Sequence, residues 1–154
     1  MSVMKKLSSE NEAKVFANSP PDELEEPKTR HRILVVEDDS SLAHLEASFL
    51  SAHDYTVVIV STGELAVTAF SDFNPDLVVL DLELSGLLTG WDVLQVLRQH
   101  TRIPVLLTTS LTLDMRKHLR ASGETRLTLD HLPKPYPMQS LLKRVKRMLM
   151  IMPQ

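Results

Sequence analysis

Four groups of side chains in this sequence are suited to act together, and each directly follows a short apolar run. Glu37 and Asp38 follow Ile33–Val36, and Asp81 follows Leu77–Leu80. Thr109 and Ser110 follow Val105–Thr108, while Lys134, with Pro135 behind it, follows the less clear run Leu127–Leu132. Acids, a hydroxyl and an ammonium at such positions form a specific set. Three carboxylates brought close together repel one another, and burial raises their pKa values unless a cation intervenes. No imidazole or thiolate accompanies them, so a hard, oxygen-seeking ion fits, and Mg²⁺ is the natural choice. A carboxylate beside Mg²⁺ is able to attack phosphorus, with the metal and Lys134 neutralising charge on the equatorial oxygens. Thr109 would then hydrogen-bond a phosphate oxygen.

Positioning these groups requires elements that all end at one edge. The apolar runs, with Tyr55–Val60 as a further member, are short and rich in Val, Leu and Ile, as strands buried on both faces are. Helical patterns lie between and after them at 41–53, 63–73, 90–100, 112–121 and 137–150. Asp39, Ser40 and Ser41 supply capping oxygens for the first of these. Five βα units in a row predict a doubly wound α/β fold with a five-stranded parallel sheet. Right-handed crossovers favour the flavodoxin-like strand order 2-1-3-4-5, with helices on both faces. In such a sheet ligands bind beyond the carboxyl ends of the strands, where the four groups fall.

The 154 residues suffice for one domain with its own core. A net charge of −3 gives no reason to expect nucleic acid as the main partner. The absence of cysteine excludes disulfides, thiol catalysis and thiolate metal sites. No signal peptide or membrane-length apolar stretch is visible, so a cytoplasmic protein with no membrane partner is expected. Residues 1–31, with Asn18-Ser19-Pro20-Pro21 and the acids Asp22, Glu23, Glu25 and Glu26, read as a flexible N-terminal tail. Within it, Ala13, Phe16 and Ala17 share a face that predicts a short helix over Glu10–Ala17. The domain proper is expected over 32–152, with no effector domain after it. The last helix is apolar along Leu141, Leu142, Val145, Met148 and Leu149, and its Lys143, Arg144, Lys146 and Arg147 read as a solvated face.

The segments ILVVEDDSSL, PDLVVLDLELSG, IPVLLTTS and LPKPY resemble the receiver domain of bacterial two-component response regulators. The resemblance covers about residues 32–150 and keeps the family's motif order. It implies a CheY-like fold in which Asp81 is the phosphoacceptor and Glu37 and Asp38 form the acidic Mg²⁺ pocket. The Glu83 backbone carbonyl would complete the metal site. Thr109 would be the switch hydroxyl, and Lys134 would contact the phosphoryl group through a cis Lys134–Pro135 bond. The implied partners are a sensor histidine kinase or phosphotransfer protein and a downstream protein target, with the chain a monomer or weak homodimer.

Three departures from the family pattern stand out. The loop after Asp81 is longer than usual before Gly90, and the stretch between Gly123 and Lys134 is also extended. His131 stands where receivers usually carry Tyr or Phe. Two rivals remain beside the phosphoacceptor. One is a degenerate receiver that binds partners without phosphorylation. The other is a phosphatase, suggested by Asp81-Leu82-Glu83, whose nucleophile would normally follow the first strand rather than the third. On the favoured reading the protein is no enzyme beyond assisting its own phosphorylation and dephosphorylation.

Overall fold

Runs of Val, Ile and Leu pack well on a pleated surface covered from both sides, and here they do so as strands. The computed structural model describes residues 14–16, 29–110 and 115–150. The strands are β1 (Lys14–Phe16), β2 (Arg32–Val36), β3 (Thr56–Val60), β4 (Leu77–Asp81), β5 (Val105–Thr109) and β6 (Leu129–Pro133). The helices are α1 (Ser40–Ser51), α2 (Gly63–Phe73), α3 (Gly90–Arg98), α4 (Met115–Ser122) and α5 (Met138–Leu149). The sheet order is β1-β3-β2-β4-β5-β6. Apart from β1, this is the expected parallel order, since β2 pairs with both β3 and β4, and β5 pairs with both β4 and β6.

The period-2 alternation of the strands divides the core into two layers. Leu34, Val36, Val58, Val60, Val78, Leu80, Val105 and Leu107 face α2, α3 and Met115 of α4. Ile33, Val35, Val57, Ile59, Leu77, Val79, Leu106 and Leu132 face α1 and α5. Each fully buried aliphatic side chain contributes roughly 1.5–3 kcal/mol, so this double layer fixes the strands rigidly under the residues at their carboxyl ends. No helix among the described residues is long and apolar enough to cross a membrane.

The segment before β2 departs from expectation. Lys14–Phe16 is not helical but forms β1, antiparallel to β3, with Lys14 opposite Ile59 and Phe16 opposite Val57. An isolated helix this short is marginal. The outer edge of β3 instead offers a ready row of backbone partners, and a strand that pairs there covers an otherwise open edge. The expected short helix therefore does not form at 14–16. Residues 1–13, 17–28 and the chain end at 151–154 lie outside the described residues.

The extended stretch before β6 is held by one part-buried guanidinium. Arg98, in the last turn of α3, makes paired 2.9 Å bonds to Glu124 and donates to the Ile103 and Thr128 carbonyls, each at 2.9 Å. This planar fork ties the loop to the strand entries on either side. Pro133 ends the outermost strand, where a missing N–H costs least. The basic run on α5 is only partly a solvated face. Arg147 and Arg144 reach the buried Asp130 carboxylate at 2.6 and 3.5 Å.

Candidate functional site

The carboxyl ends of β2, β4, β5 and β6 converge, and the sequence-predicted residues converge with them. Asp81 is the last residue of β4 and is buried, as is Glu37 behind β2, whereas Asp38 is exposed. One carboxylate oxygen from each of Glu37, Asp38 and Asp81 lies within 4.8 Å of the others. Lys134 sits opposite them, with Nζ 2.8 Å from Glu37 Oε1 and 3.4 Å from Asp81 Oδ2. The Lys134–Pro135 bond is cis, and the Lys134 N–H donates to the Thr109 carbonyl at 2.8 Å.

Local backbone contacts explain why the acids sit this way. Asp39 caps α1 by accepting from the Leu42 N–H, so the chain turns sharply after β2. The Asp39 N–H in turn donates to Glu37 Oε2 at 3.1 Å. Asp38 accepts from the Ser85 N–H at 3.3 Å, and the Glu83 N–H donates to Asp81 Oδ1 at 2.9 Å. These bonds orient the three carboxylates, two after β2 and one at the end of β4, toward one another.

Charge crowding leaves a clear electrostatic mark. Burial pushes the Glu37 carboxyl up to about 7, against the pull of Lys134 and the Asp39 N–H, and the neighbouring Asp81 adds to the rise. Burial works to lower the Lys134 pKa, but Glu37 and Asp81 together hold the ammonium above its usual range. Among the described residues one ammonium thus pairs with two of three clustered carboxylates. An all-oxygen donor set of this charge suits a hard divalent cation, so the residues present fit Mg²⁺.

Thr109, at the end of β5, is buried, and its hydroxyl hydrogen-bonds the Glu83 carboxylate. The same carboxylate accepts from the Ser110 N–H at 2.8 Å and from the Ser110 hydroxyl at 2.5 Å. Burial acts to raise Glu83, but these bonds and the Lys134 charge hold it below the usual carboxylate range. The sequence reading assigned Glu83 only a backbone role and missed this side-chain tie. Its signal is the run of hydroxyl residues after β5 facing an acid two residues past Asp81.

Gly90 is fixed by the site itself. A Cβ there would stand 2.3 Å from the Asp81 carbonyl oxygen and 2.6 Å from the Leu82 Cα, so α3 starts directly against the backbone of the phosphoacceptor candidate. The preceding Thr89 and Asp92 form a reciprocal capping box that anchors this start. Gly90→Ala should therefore destabilise the fold by about 1–3 kcal/mol, as overpacking does. A urea midpoint unchanged from wild type would contradict that close approach.

Glu46 also went unrecognised in the sequence. It lies on the sheet-facing side of α1 with Ala43, Ala47 and Leu50, is fully buried, and accepts a short hydrogen bond from the Tyr136 hydroxyl. Burial pushes its carboxyl up to about 7 from 4.5, outweighing the Tyr136 bond and the Lys134 charge, while Asp81 and Asp39 add to the rise. The folded state therefore binds this proton more tightly than the unfolded chain, and stability falls as pH rises through that window. Ionising Glu46 should cost up to roughly 3 kcal/mol between pH 4.5 and 7. Glu46→Gln should remove that part of the pH dependence. Urea midpoints at acidic and alkaline pH that shift equally in both proteins would contradict the assignment.

His131 occupies a half-buried place on β6 opposite Leu107, with its Nδ1 buried and unpartnered and its carbonyl accepting from Arg144. Burial lowers its pKa, with Arg144, Arg126 and Arg116 assisting and Asp130 opposing, which favours the neutral ring. Trp91 packs on the core with its ring 5.2 Å from that of His118 across α3 and α4.

The comparisons with known proteins agree with this geometry. The family model for the response regulator receiver domain matches residues 33–146. The DNA-binding response regulator MtrA of Mycobacterium leprae is 35% identical over 119 residues, covering 76% of this chain and 50% of that protein. The regulatory protein VanRB of Enterococcus faecalis is 34% identical over 118 residues, covering 77% and 52%. The chain thus spans about half the length of these curated relatives. Among solved structures, the BeF3-activated N-terminal receiver domain of Klebsiella pneumoniae RstA superposes with a TM-score of 0.68 at 34% identity, covering 77% of this chain and 98% of that one. The chemotaxis response regulator CheY4 of Vibrio cholerae gives 0.68 at 26% identity, covering 79% and 100%.

Proposed function

This chain belongs to the response regulator receiver domain family, and on that premise we propose that it accepts a phosphoryl group on Asp81 and signals through the resulting change of surface. The observation that carries the reading is the placement of Lys134 Nζ against both Glu37 and Asp81, in a cluster of acids that Asp38 completes. An Asp81 oxygen attacks the phosphorus of a phosphohistidine donor, the P–N bond breaks, and an acyl phosphate forms. The donor is a sensor histidine kinase or a phosphotransfer protein, and the donor nitrogen leaves with the bonding pair. Glu37, Asp38, Asp81 and the Glu83 carbonyl would hold Mg²⁺, which when bound neutralises charge on the transferring group. Lys134 contributes a fixed positive charge to the same oxygens, and the Thr109 hydroxyl turns from Glu83 to the phosphoryl group.

The output on this reading is a phosphate-dependent protein–protein contact or onward transfer to another histidine, in the cytoplasm, by a monomer or weak homodimer. Neither nucleic acid nor a membrane is the direct partner of these residues. The protein is a phosphoacceptor rather than a turnover enzyme. Titration with beryllofluoride and Mg²⁺, followed by Trp91 fluorescence, tests the reading. A saturable change that Asp81→Asn removes is expected. Identical traces from the two proteins would favour a binding module that is never phosphorylated.

His131 lacks the features of a strong switch residue. A neutral imidazole with no partner for its buried nitrogen gains little from turning further inward. His131→Ala should leave phosphorylation intact and alter partner affinity less than tenfold, under about 1.4 kcal/mol. Loss of phosphate-dependent partner binding in this variant alone would overturn that view.

A further inference from the structure

Glu46 is the one fully buried acid among the described residues that has no ion pair. Glu37 and Asp81 share Lys134, and Asp130 has Arg144 and Arg147. Glu46 Oε2 instead takes the Tyr136 hydroxyl, and Oε1 is buried with no partner. A carboxyl group in the core against Ala43, Ala47 and Leu50 costs several kcal/mol relative to an apolar residue, and the helix pattern calls for an apolar residue at that place. The core therefore tolerates Glu46 for its bond to Tyr136.

That bond reaches the reacting end of the sheet by a short path. Tyr136 lies two residues beyond Lys134, across the cis Lys134–Pro135 bond. On one side the Lys134 N–H is tied to the Thr109 carbonyl at 2.8 Å. On the other, the Tyr136 hydroxyl is tied to Glu46 and hydrogen-bonded by the hydroxyl of Thr108. Thr108 is buried, pairs with Asp81 in the sheet register, and accepts the Leu82 N–H at 2.9 Å. The segment carrying the ammonium is thus pinned at both ends, by β5 at Lys134 and by α1 at Tyr136. Burial and the adjacent Glu46 keep the phenol far above its ordinary pKa, so Tyr136 remains a donor throughout the working range.

We propose that Glu46 is a positioning residue for the phosphoryl-transfer site, holding Tyr136 and through it the Lys134 ammonium against Asp81. The inference rests on the phosphoacceptor reading and adds a group that touches neither the phosphoryl oxygens nor the metal pocket. Misplacement of a charge by an ångström slows a positioned reaction steeply.

The test is the rate of labelling by acetyl phosphate and Mg²⁺ in the full chain, measured alongside the urea midpoint. Glu46→Leu fills the same space without an acceptor, and Tyr136→Phe removes only the hydroxyl. Each should slow labelling about tenfold, and the double variant should be no slower than the slower single one, since both cut one tether. Glu46→Gln, which still accepts from Tyr136, should stay within about threefold of wild type. A merely structural role would lower the midpoint without slowing labelling of the folded protein. Wild-type labelling rates in Tyr136→Phe, or additive losses in the double variant, overturn the proposal even if Glu46→Leu fails to fold. Absence of labelling in wild type itself would instead overturn the phosphoacceptor reading, and this inference with it.

Discussion

Asp81→Asn should abolish acid-labile phosphoryl labelling by acetyl phosphate or a cognate kinase, leaving only background. The amide nearly reproduces the carboxylate in shape, so the fold and the Glu83 N–H contact at Oδ1 survive the change. What is lost is the nucleophile, since an amide oxygen does not form a stable acyl phosphate. The two neighbouring carboxylates among the described residues are otherwise engaged. Glu37 is buried behind β2 and engaged by Lys134 and the Asp39 N–H, and Asp38 accepts from Ser85. Labelling at wild-type level in this variant would place the acceptor elsewhere.

Removing divalent cations should have an effect nearly as large. Glu37, Asp38 and Asp81 present oxygens within 4.8 Å of one another, and among the described residues Lys134 alone forms ion pairs with them, to Glu37 and Asp81. Adding a phosphoryl group brings further negative charge to a region where burial already raises Glu37 to about 7. On the proposed function the site would need a hard cation before accepting that charge, and an open all-oxygen pocket binds one weakly. Labelling should therefore fall to background in excess EDTA and return with added Mg²⁺. Binding should also raise the unfolding midpoint, by about 2.7 kcal/mol of stability at a hundredfold excess over Kd. Asp38→Asn should weaken both effects. Undiminished labelling in EDTA would contradict the metal pocket.

Much of this was legible in the sequence for a simple reason. A parallel sheet buried on both faces writes its strands as unbroken Val, Leu and Ile runs, and its chemistry must lie just past them. Ile33–Val36, Leu77–Leu80 and Val105–Thr108 therefore located Glu37, Asp38, Asp81 and Thr109 without reference to any helix. The fifth strand was harder to read because Thr128, Asp130 and His131 interrupt its apolar pattern. Asp130 is there to receive Arg144 and Arg147 from α5, a contact between distant segments that periodicity does not reveal. β1 was misread because its strand form depends on the open edge of β3, a tertiary opportunity absent from the local sequence. Glu46 was passed over because an acid on a helix reads as exposed by default. Its spacing from Ala43, Ala47 and Leu50 was the available sign that it faces the core.

The Glu83 carboxylate and the Thr109 hydroxyl link the pocket to the face beyond β5. Thr109 and Ser110 are both drawn to Glu83, so on the proposed function a phosphoryl group would have to compete with an existing acceptor for the Thr109 hydroxyl.

The central claim is that Asp81 is the residue phosphorylated. The most direct measurement treats the full chain with acetyl phosphate and Mg²⁺, traps the acyl phosphate by borohydride reduction, and maps the modified residue by peptide mass spectrometry. The account predicts a single modified site, at Asp81, that disappears when Mg²⁺ is withheld. Modification at any other carboxylate, or none in the presence of both reagents, would contradict it.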